Sequence, residues 1–371
     1  MHQLYQACQS FYLSRNRDGA RFARVTMTQL HKWLLTWYDS RTREMPWRDH
    51  PDPYAVWVSE IMLQQTQVET VKGYFIRFIK SFPTVQALAE APQQAVLKAW
   101  EGLGYYTRAR NLQKAAQQVM GQGGELPSTS TQWAMLPGIG PYTAAAISSI
   151  SFGEYVPVVD GNVARVFSRF LEWRDDFQKL PAREKLSKWL QPFIEKSKRP
   201  GDFNQAMMDL GATVCTPRNP QCAICPIQKG CLAHAKNLQD ELPVKPAKKK
   251  LPVRRAVAIA VRDGTGRVLF SQRVDERLLG GLWELPSLEW NQDLTQKHAL
   301  RKLLKIIGLS VSQAMYVGDI EHTFSHFKLI MQLYRVEKYV GSLLSDNQET
   351  LSFEKPNMLP LTTATRRALE L

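Results

Sequence analysis

Four of the chain's five cysteines, Cys215, Cys222, Cys225 and Cys231, fall in one short stretch, separated by gaps of six, two and five residues. A segment carrying four thiolates must fold around whatever they grip. Soft sulfur ligands favour an iron–sulfur cluster or zinc over hard cations. Disulfides fit poorly, because no secretory signal is visible, Cys8 stands far away, and clustered thiols in a reducing compartment are more often ligands than bridges. Only one short CxxC pair is present, whereas structural zinc usually shows two such knuckles, so spacing alone leaves both metals open.

With 371 residues the chain is long enough for two or three domains. Its net charge of +14 points to a polyanionic partner. Nucleic acid explains that excess better than a membrane, since no apolar run approaches the ~20 residues of a spanning helix. Residues 1–27 read as an N-terminal extension, poorly ordered, with Arg15, Arg17, Arg21 and Arg24 set against Asp18. A frayed tail, or a true start at Met27, suits it better than an organellar presequence.

Residues 28–239 have helical periodicity almost throughout. Trp33, Leu34, Trp37 and Tyr38 keep that spacing, as do Val56, Ile61, Met62 and Val68, with breaks at Pro46, Pro83, Pro92 and Gly121 to Gly124. Residues 240–255, with three prolines and a lysine run, read as an exposed connector. Residues 256–371 form a mixed α and β domain. Ala256–Val261 and Val268–Ser271 read as strands joined by the Asp263–Gly266 turn, a helix runs Thr295–Ile307, and further strands are expected at Ala314–Val317 and Phe327–Val336.

Three segments carry candidate chemistry. Leu136 to Ala144 places Gly138 and Gly140 in a tight turn and Pro141 at the first position of a helix, whose free N–H groups suit a phosphate. A plain inter-helix corner would look the same. Val158 to Val166 sets Asp160 at the mouth of a helix, where it is expected as the N-cap whatever else it does. In VWVSEIMLQQTQV, Glu60 stands among apolar residues, which disfavour its charged form and suit it to act as an acid near neutral pH. An ordinary exposed helix acid is the commoner case.

Together with GLGYYxRARN at 102–111, FNQAMMDLGA at 203–212 and the cysteine spacing, these segments resemble the helix-hairpin-helix DNA glycosylases that carry an iron–sulfur loop. Within that superfamily the chain is similar to the adenine glycosylases acting on A opposite 8-oxoguanine, the MutY family. The resemblance implies a multidomain fold, an all-α glycosylase domain followed by an α+β Nudix-like domain, and a four-iron, four-sulfur cluster on the four cysteines. It implies roles for Glu60 as the acid that protonates the flipped adenine, for Asp160 as the carboxylate that stabilises the sugar cation or adds to it transiently, and for Tyr142 and Asn162 as their helpers. Trp47, Arg48 and Gln205 would line the adenine pocket. Gln65 and Tyr105 would wedge into the duplex, with Gln64, Thr66, Leu103, Gly138 and Gly140 also on DNA. A helix spanning 60–64 would put Glu60 and Gln64 on one face. Where endonuclease III carries its Schiff-base lysine, two places after the second glycine, this chain has Tyr142, so hydrolysis without efficient strand cleavage is expected.

In the second domain, Arg301 to Leu309 align with the Nudix signature helix, but Lys302, Lys305 and Ile306 replace its magnesium-binding acids. Lysines repel a divalent cation, so the domain is Nudix-like and chemically silent. Phe324, Ser325 and His326 resemble the loop that senses 8-oxoguanine; without that resemblance, a strand with a satisfied histidine would be the simpler reading.

The implied function is that of a monofunctional glycosylase acting as a monomer on double-stranded DNA carrying A opposite 8-oxoguanine or G. It leaves an abasic site for other repair proteins. The rivals are a bifunctional endonuclease III-like glycosylase/lyase and a non-catalytic iron–sulfur protein that only binds damage. For a bacterial chain the resemblance implies the cytoplasm, on the nucleoid; nucleus and mitochondrion stay open.

Overall fold

The computed structural model describes residues 27–41, 43–48, 52–244, 250–274, 278–290, 295–344 and 350–371. Residues 1–26, and with them nearly all of the expected N-terminal extension, lie outside the described residues. Helices run in the order α1 Met27–Ser40, α2 Pro53–Leu63, α3 Val68–Ser81, α4 Val85–Glu90, α5 Gln93–Ala99, α6 Thr107–Gly121, α7 Ser130–Trp133, α8 Pro141–Phe152, α9 Gly161–Phe170, α10 Leu180–Lys196, α11 Pro200–Thr213 and α12 Leu232–Lys236. Strands β1 Val253–Val261, β2 Val268–Gln272, β3 Trp283–Glu284 and β4 Ser287–Trp290 follow, then α13 Gln296–Ile306, β5 Leu309–Val311, β6 Met315–Thr323, β7 Lys328–Val336, β8 Tyr339–Gly341, β9 Thr350–Glu354 and α14 Thr363–Glu370. Among the described residues no helix is long and apolar enough to cross a membrane.

By packing, the described residues of Met1–Gln64 and Glu125–Ala247 form one compact unit, and those of Gln65–Gly124 and Lys248–Leu371 a second. The core of the first unit is a meeting of helical stripes. Leu30 and Leu34 of α1, Val163 and Phe167 of α9, Leu186, Leu190 and Ile194 of α10, and Phe203, Met207 and Leu210 of α11 are all buried together. The i, i+4, i+8 spacing in α10 places its three apolar side chains on one line. Each contributes about 1.5–3 kcal/mol relative to exposure.

In the second unit, β1 pairs in parallel with β7 over nine residues, from Val253 opposite Lys328 to Val261 opposite Val336. Antiparallel neighbours complete a sheet in the order β4-β1-β7-β6. Its central strand is buried on both faces. Ala256 and Ala258 pack with Phe270, Ile320, Ala364 and Ala368, whereas Val257, Ile259 and Val261 pack with Ala299, Leu303 and Leu304 of α13. Strand geometry sends alternate residues to opposite sides, which is why this strand reads as an unbroken apolar run.

The connector departs from the sequence reading. Leu242 is only 1% exposed and its carbonyl accepts a hydrogen bond from Arg169 Nε at 2.9 Å. Strand β1 already begins at Val253, inside the stretch read as linker, and residues 245–249 of that stretch lie outside the described residues.

Candidate active site

Helix α2 is apolar on every side, and Tyr54 to Met62 are all buried. A carboxylate there would be costly without partners. Asp52 caps the helix, accepting from Tyr54 N at 3.0 Å, and Pro53 opens it. Glu60 is 6% exposed. Its Oε2 accepts a hydrogen bond from Tyr142 Oη at 2.9 Å. Burial pushes the carboxyl up to about 7, partly offset by the Tyr142 hydrogen bond and the Arg48 charge, and reinforced by the charge on Asp160. Burial and the two carboxylates hold the Tyr142 phenol well above its ordinary range, so it keeps its proton and acts as a donor. The reading of Glu60 as an exposed helix acid is thereby removed.

Tyr142 stands at the second position of α8, reached through the hairpin that α7 begins. Gly138 has φ +77°, a left-handed value that a side chain resists, and Gly140 is the N-cap, with Pro141 next. Both glycines are exposed.

Asp160 is the N-cap of α9, as its position suggested. Its Oδ1 accepts from Val163 N at 2.6 Å and its Oδ2 from Asn162 Nδ2 at 2.8 Å. Burial raises the Asp160 carboxyl and these donors oppose it. The Asn162 Oδ1 in turn accepts from Arg165 Nη2 at 2.7 Å, which also donates to Gly211 O at 2.8 Å. Helix α11 comes so close here that a Cβ on Gly211 would lie 2.6 Å from Asn162 Cβ. Asn204, fully buried on the same helix, accepts from Val158 N at 3.0 Å and donates to Ser149 Oγ and Val156 O, each at 2.9 Å. These bonds fix the strand-like entry to Asp160.

Arg48 forms an ion pair with Asp209 on α11, Nη1 to Oδ2 at 2.8 Å, and its guanidinium lies over the Tyr38 ring at 5.5 Å. Trp47 beside it is buried. Gln205 shares a helical face with Met208 and Asp209, three and four residues on, and the Met208 sulfur lies 3.9 Å from Tyr142 Oη. The structure therefore gathers Glu60, Asp160, Tyr142, Asn162, Arg48 and the Gln205 face in one neighbourhood. Arg165, Asn204, Asp209 and Gly211 lie in the segments at 158–166 and 203–212 that carry the resemblance, but sequence alone assigns them no individual role.

Gln64 needs correction. Helix α2 ends at Leu63, Gln64 has left the helix at ψ 110°, and its Nε2 donates to Thr143 Oγ1 at 3.1 Å, so it does not share a helical face with Glu60.

Other expected DNA contacts lie in the second unit. Gln65 is exposed at φ +58°, and Tyr105 is 48% exposed at φ +48°, which rules out a core aromatic. Thr66 Oγ1 accepts from Arg108 Nη2 at 3.2 Å. Leu103, in contrast, is buried at 6% exposure and offers little surface to a ligand. Phe324, Ser325 and His326 occupy the turn joining β6 and β7 rather than a strand edge, closed by Phe324 N donating to Phe327 O at 2.8 Å. Phe324 stacks on Phe327 with ring centres 4.5 Å apart, while Ser325 and His326 are exposed.

Back in the first unit, Cys215, Cys222, Cys225 and Cys231 line one pocket together with Arg169, Gln228, His234 and Gln239. No group of three His, Cys, Asp or Glu among the described residues converges as a single metal ion requires. Four thiols on one pocket lining are the soft donor set that an iron–sulfur cluster takes. Arg169, buried in α9, donates from Nη1 to Cys215 Sγ at 3.3 Å and to Thr216 O at 2.8 Å. Arg165 Nε donates to Cys215 O at 2.8 Å, so one guanidinium touches both the cysteine loop and Asn162, the donor to Asp160.

Comparison with known proteins bears on all three parts. Residues 58–192 match the HhH-GPD superfamily of base excision DNA repair proteins, residues 215–231 the iron-sulfur binding domain of endonuclease III, and residues 256–371 the NUDIX domain. The cysteine loop is accordingly an iron–sulfur site. Among solved structures, a thermostable thymine-DNA glycosylase is 27% identical with a TM-score of 0.52, covering 57% of this chain and 97% of its own. Endonuclease III in a non-covalent DNA complex shares the fold at 24% identity and TM-score 0.50, covering 58% of this chain and all of its own. The adenine DNA glycosylase of Homo sapiens is 38% identical over 81% of this chain, which spans 65% of that relative's length. Those of Mus musculus, at 37% identity over 83% of this chain and 70% of the relative, and of Buchnera aphidicola from Acyrthosiphon pisum, at 31% over 91% and 95%, extend the likeness. The chain belongs to the adenine DNA glycosylase family.

Proposed function

We propose that the protein is a monofunctional glycosylase, acting as a monomer on duplex DNA, that releases adenine mispaired with 8-oxoguanine and also with guanine. The observation that carries the reading is the Glu60–Tyr142 contact at 2.9 Å beside Asp160, with the Glu60 carboxyl near 7. A purine turned out of the stack meets a neutral Glu60, which gives its proton to a ring nitrogen. The C1′–N bond then breaks with its electrons going to the base, and the base leaves neutral. Ionised Asp160, held by Val163 N–H and Asn162, stabilises the positive sugar. Water adds to C1′, loses a proton, and an abasic site remains. The charge on Asp160 adds to burial in raising the Glu60 carboxyl, which favours a neutral acid facing an anion.

Tyr142 cannot form an imine with the sugar, which supports hydrolysis without strand cleavage. Trp47, Arg48 and Gln205 form the purine side of the site. Gln65 and Tyr105 enter the duplex, and Ser325 and His326 read the lesion edge. The four cysteines hold one four-iron, four-sulfur cluster, which when bound supplies a rigid charged post for the loop. Arg165 and Arg169 anchor that loop against α9.

The test is base release from duplexes carrying A opposite 8-oxoguanine, G, C or T, with and without alkali and with borohydride. Release from A opposite 8-oxoguanine and G, strand breaks only after alkali, and little trapped protein are expected. Cleavage without alkali at the rate of base release would establish a lyase instead.

A further inference from the structure

Resting on that reading, we propose that Glu101 is a positioning residue that ties the Tyr105 turn to the Phe324–His326 turn through α14, so that lesion sensing and duplex wedging act as one body. All of its parts lie in the second unit.

The Tyr105 end is rigid. Gly102 N donates to Tyr106 Oη at 3.1 Å, Trp100 Nε1 to Gly104 O at 3.2 Å, and Arg108 Nη2 to Leu103 O at 3.2 Å and Gly104 O at 3.1 Å. Glu101 begins this turn, and its own carbonyl accepts from Tyr74 Oη at 2.8 Å. Its carboxylate, though, points to the end of the chain. Oε1 accepts from Leu361 N at 2.8 Å and from Arg366 Nε at 2.7 Å, while Oε2 pairs with Lys98 Nζ at 2.8 Å. That lysine also donates to Leu359 O at 2.7 Å.

Arg366 lies in α14, next to Arg367, whose Nη1 donates to Glu321 O of β6 at 3.0 Å. Ala364 and Ala368 pack with Ile320 and Met331 from β6 and β7, the two strands that the Phe324–His326 turn joins. The path thus runs Tyr105 turn, Glu101, Arg366, Arg367, Glu321 and the sensing turn, without a gap. An isolated surface ion pair would be worth little. Glu101 differs because its side chain is only 10% exposed and it also receives a backbone N–H. Contiguity alone does not demonstrate coupling, so the test must read coupling.

The experiment compares full-length wild type, Glu101→Gln and Arg366→Gln in single-turnover adenine release from duplexes with A opposite 8-oxoguanine and A opposite G. Amide exchange at Leu361 is followed alongside. Each variant should lower the 8-oxoguanine preference by roughly threefold to tenfold, the span set by charge-assisted bonds. The rate on A opposite G should stay near wild type, and Leu361 should exchange faster. The double variant should do little more than either single one. An unchanged preference despite faster Leu361 exchange would overturn the proposal. So would equal losses on both duplexes, which mark a purely structural role. Should Glu101→Gln fail to fold, Arg366→Gln, altered at a half-exposed side chain, decides alone. Absence of adenine release by wild type would instead defeat the proposed function itself.

Discussion

Replacing Glu60 by Gln separates chemistry from stability, with opposite effects on the two. The folded carboxyl titrates near 7 against an ordinary value of 4.5. The folded protein therefore keeps a proton that the unfolded chain has already lost, and stability falls as pH rises from about 4.5 to about 7. At ~1.36 kcal/mol per factor of ten in acidity, the full effect is about 3 kcal/mol. Glutamine cannot ionise and can still accept from Tyr142. Urea unfolding followed by tryptophan fluorescence should find the two proteins alike at pH 4–5 and the variant more stable by about 2–3 kcal/mol at pH 8. Adenine release should fall by ~10²–10⁴ in the variant, and in wild type it should decline above pH 7 as the acid ionises. A stability difference that stays constant from pH 5 to 8, or a variant weaker at pH 8, would refute the account of a desolvated acid.

Gly211→Ala would drive a methyl to 2.6 Å from Asn162 Cβ and 2.9 Å from Asn162 O. It should cost about 1–3 kcal/mol and slow base release by prying Asn162 from Asp160, both measurable by melting and single-turnover assay. Arg169→Leu removes the donor to Cys215 Sγ, Thr216 O and Leu242 O. The expected result is protein with less than wild-type iron per chain, by metal analysis and visible absorbance, and a marked loss of stability.

Much of this was readable from local rules. Asp160 announced itself as a cap because a carboxylate before a helix has free N–H groups to accept. Likewise, the apolar, β-branched run at Ala256 to Val261 named a strand, though not its burial on both faces. Boundaries set by one residue were harder: Gln64, Gln65 and Thr66 are compatible with helix or turn, and the break at Leu63 is decided by the Gln64 bond to Thr143. Short strands such as β3, β5 and β8 carry too few residues for a period of two to show, and α14 was overlooked for the same want of length. Glu60 could be suspected as an acid, yet its partner stands 82 positions away. Asn204 and Gly211 matter only because helices α8, α9 and α11 meet.

The polar contacts of Lys98 and Glu101 also set a timetable for synthesis. Lys98 finds Leu359 across 261 positions and Glu101 finds Arg366 across 265. At ~5–20 residues per second on the ribosome, those groups wait roughly 13–50 seconds for their partners. Through that interval both side chains stay hydrated, and a nascent chain stalled before residue 359 carries its Tyr105 turn without the clamp that helix α14 provides.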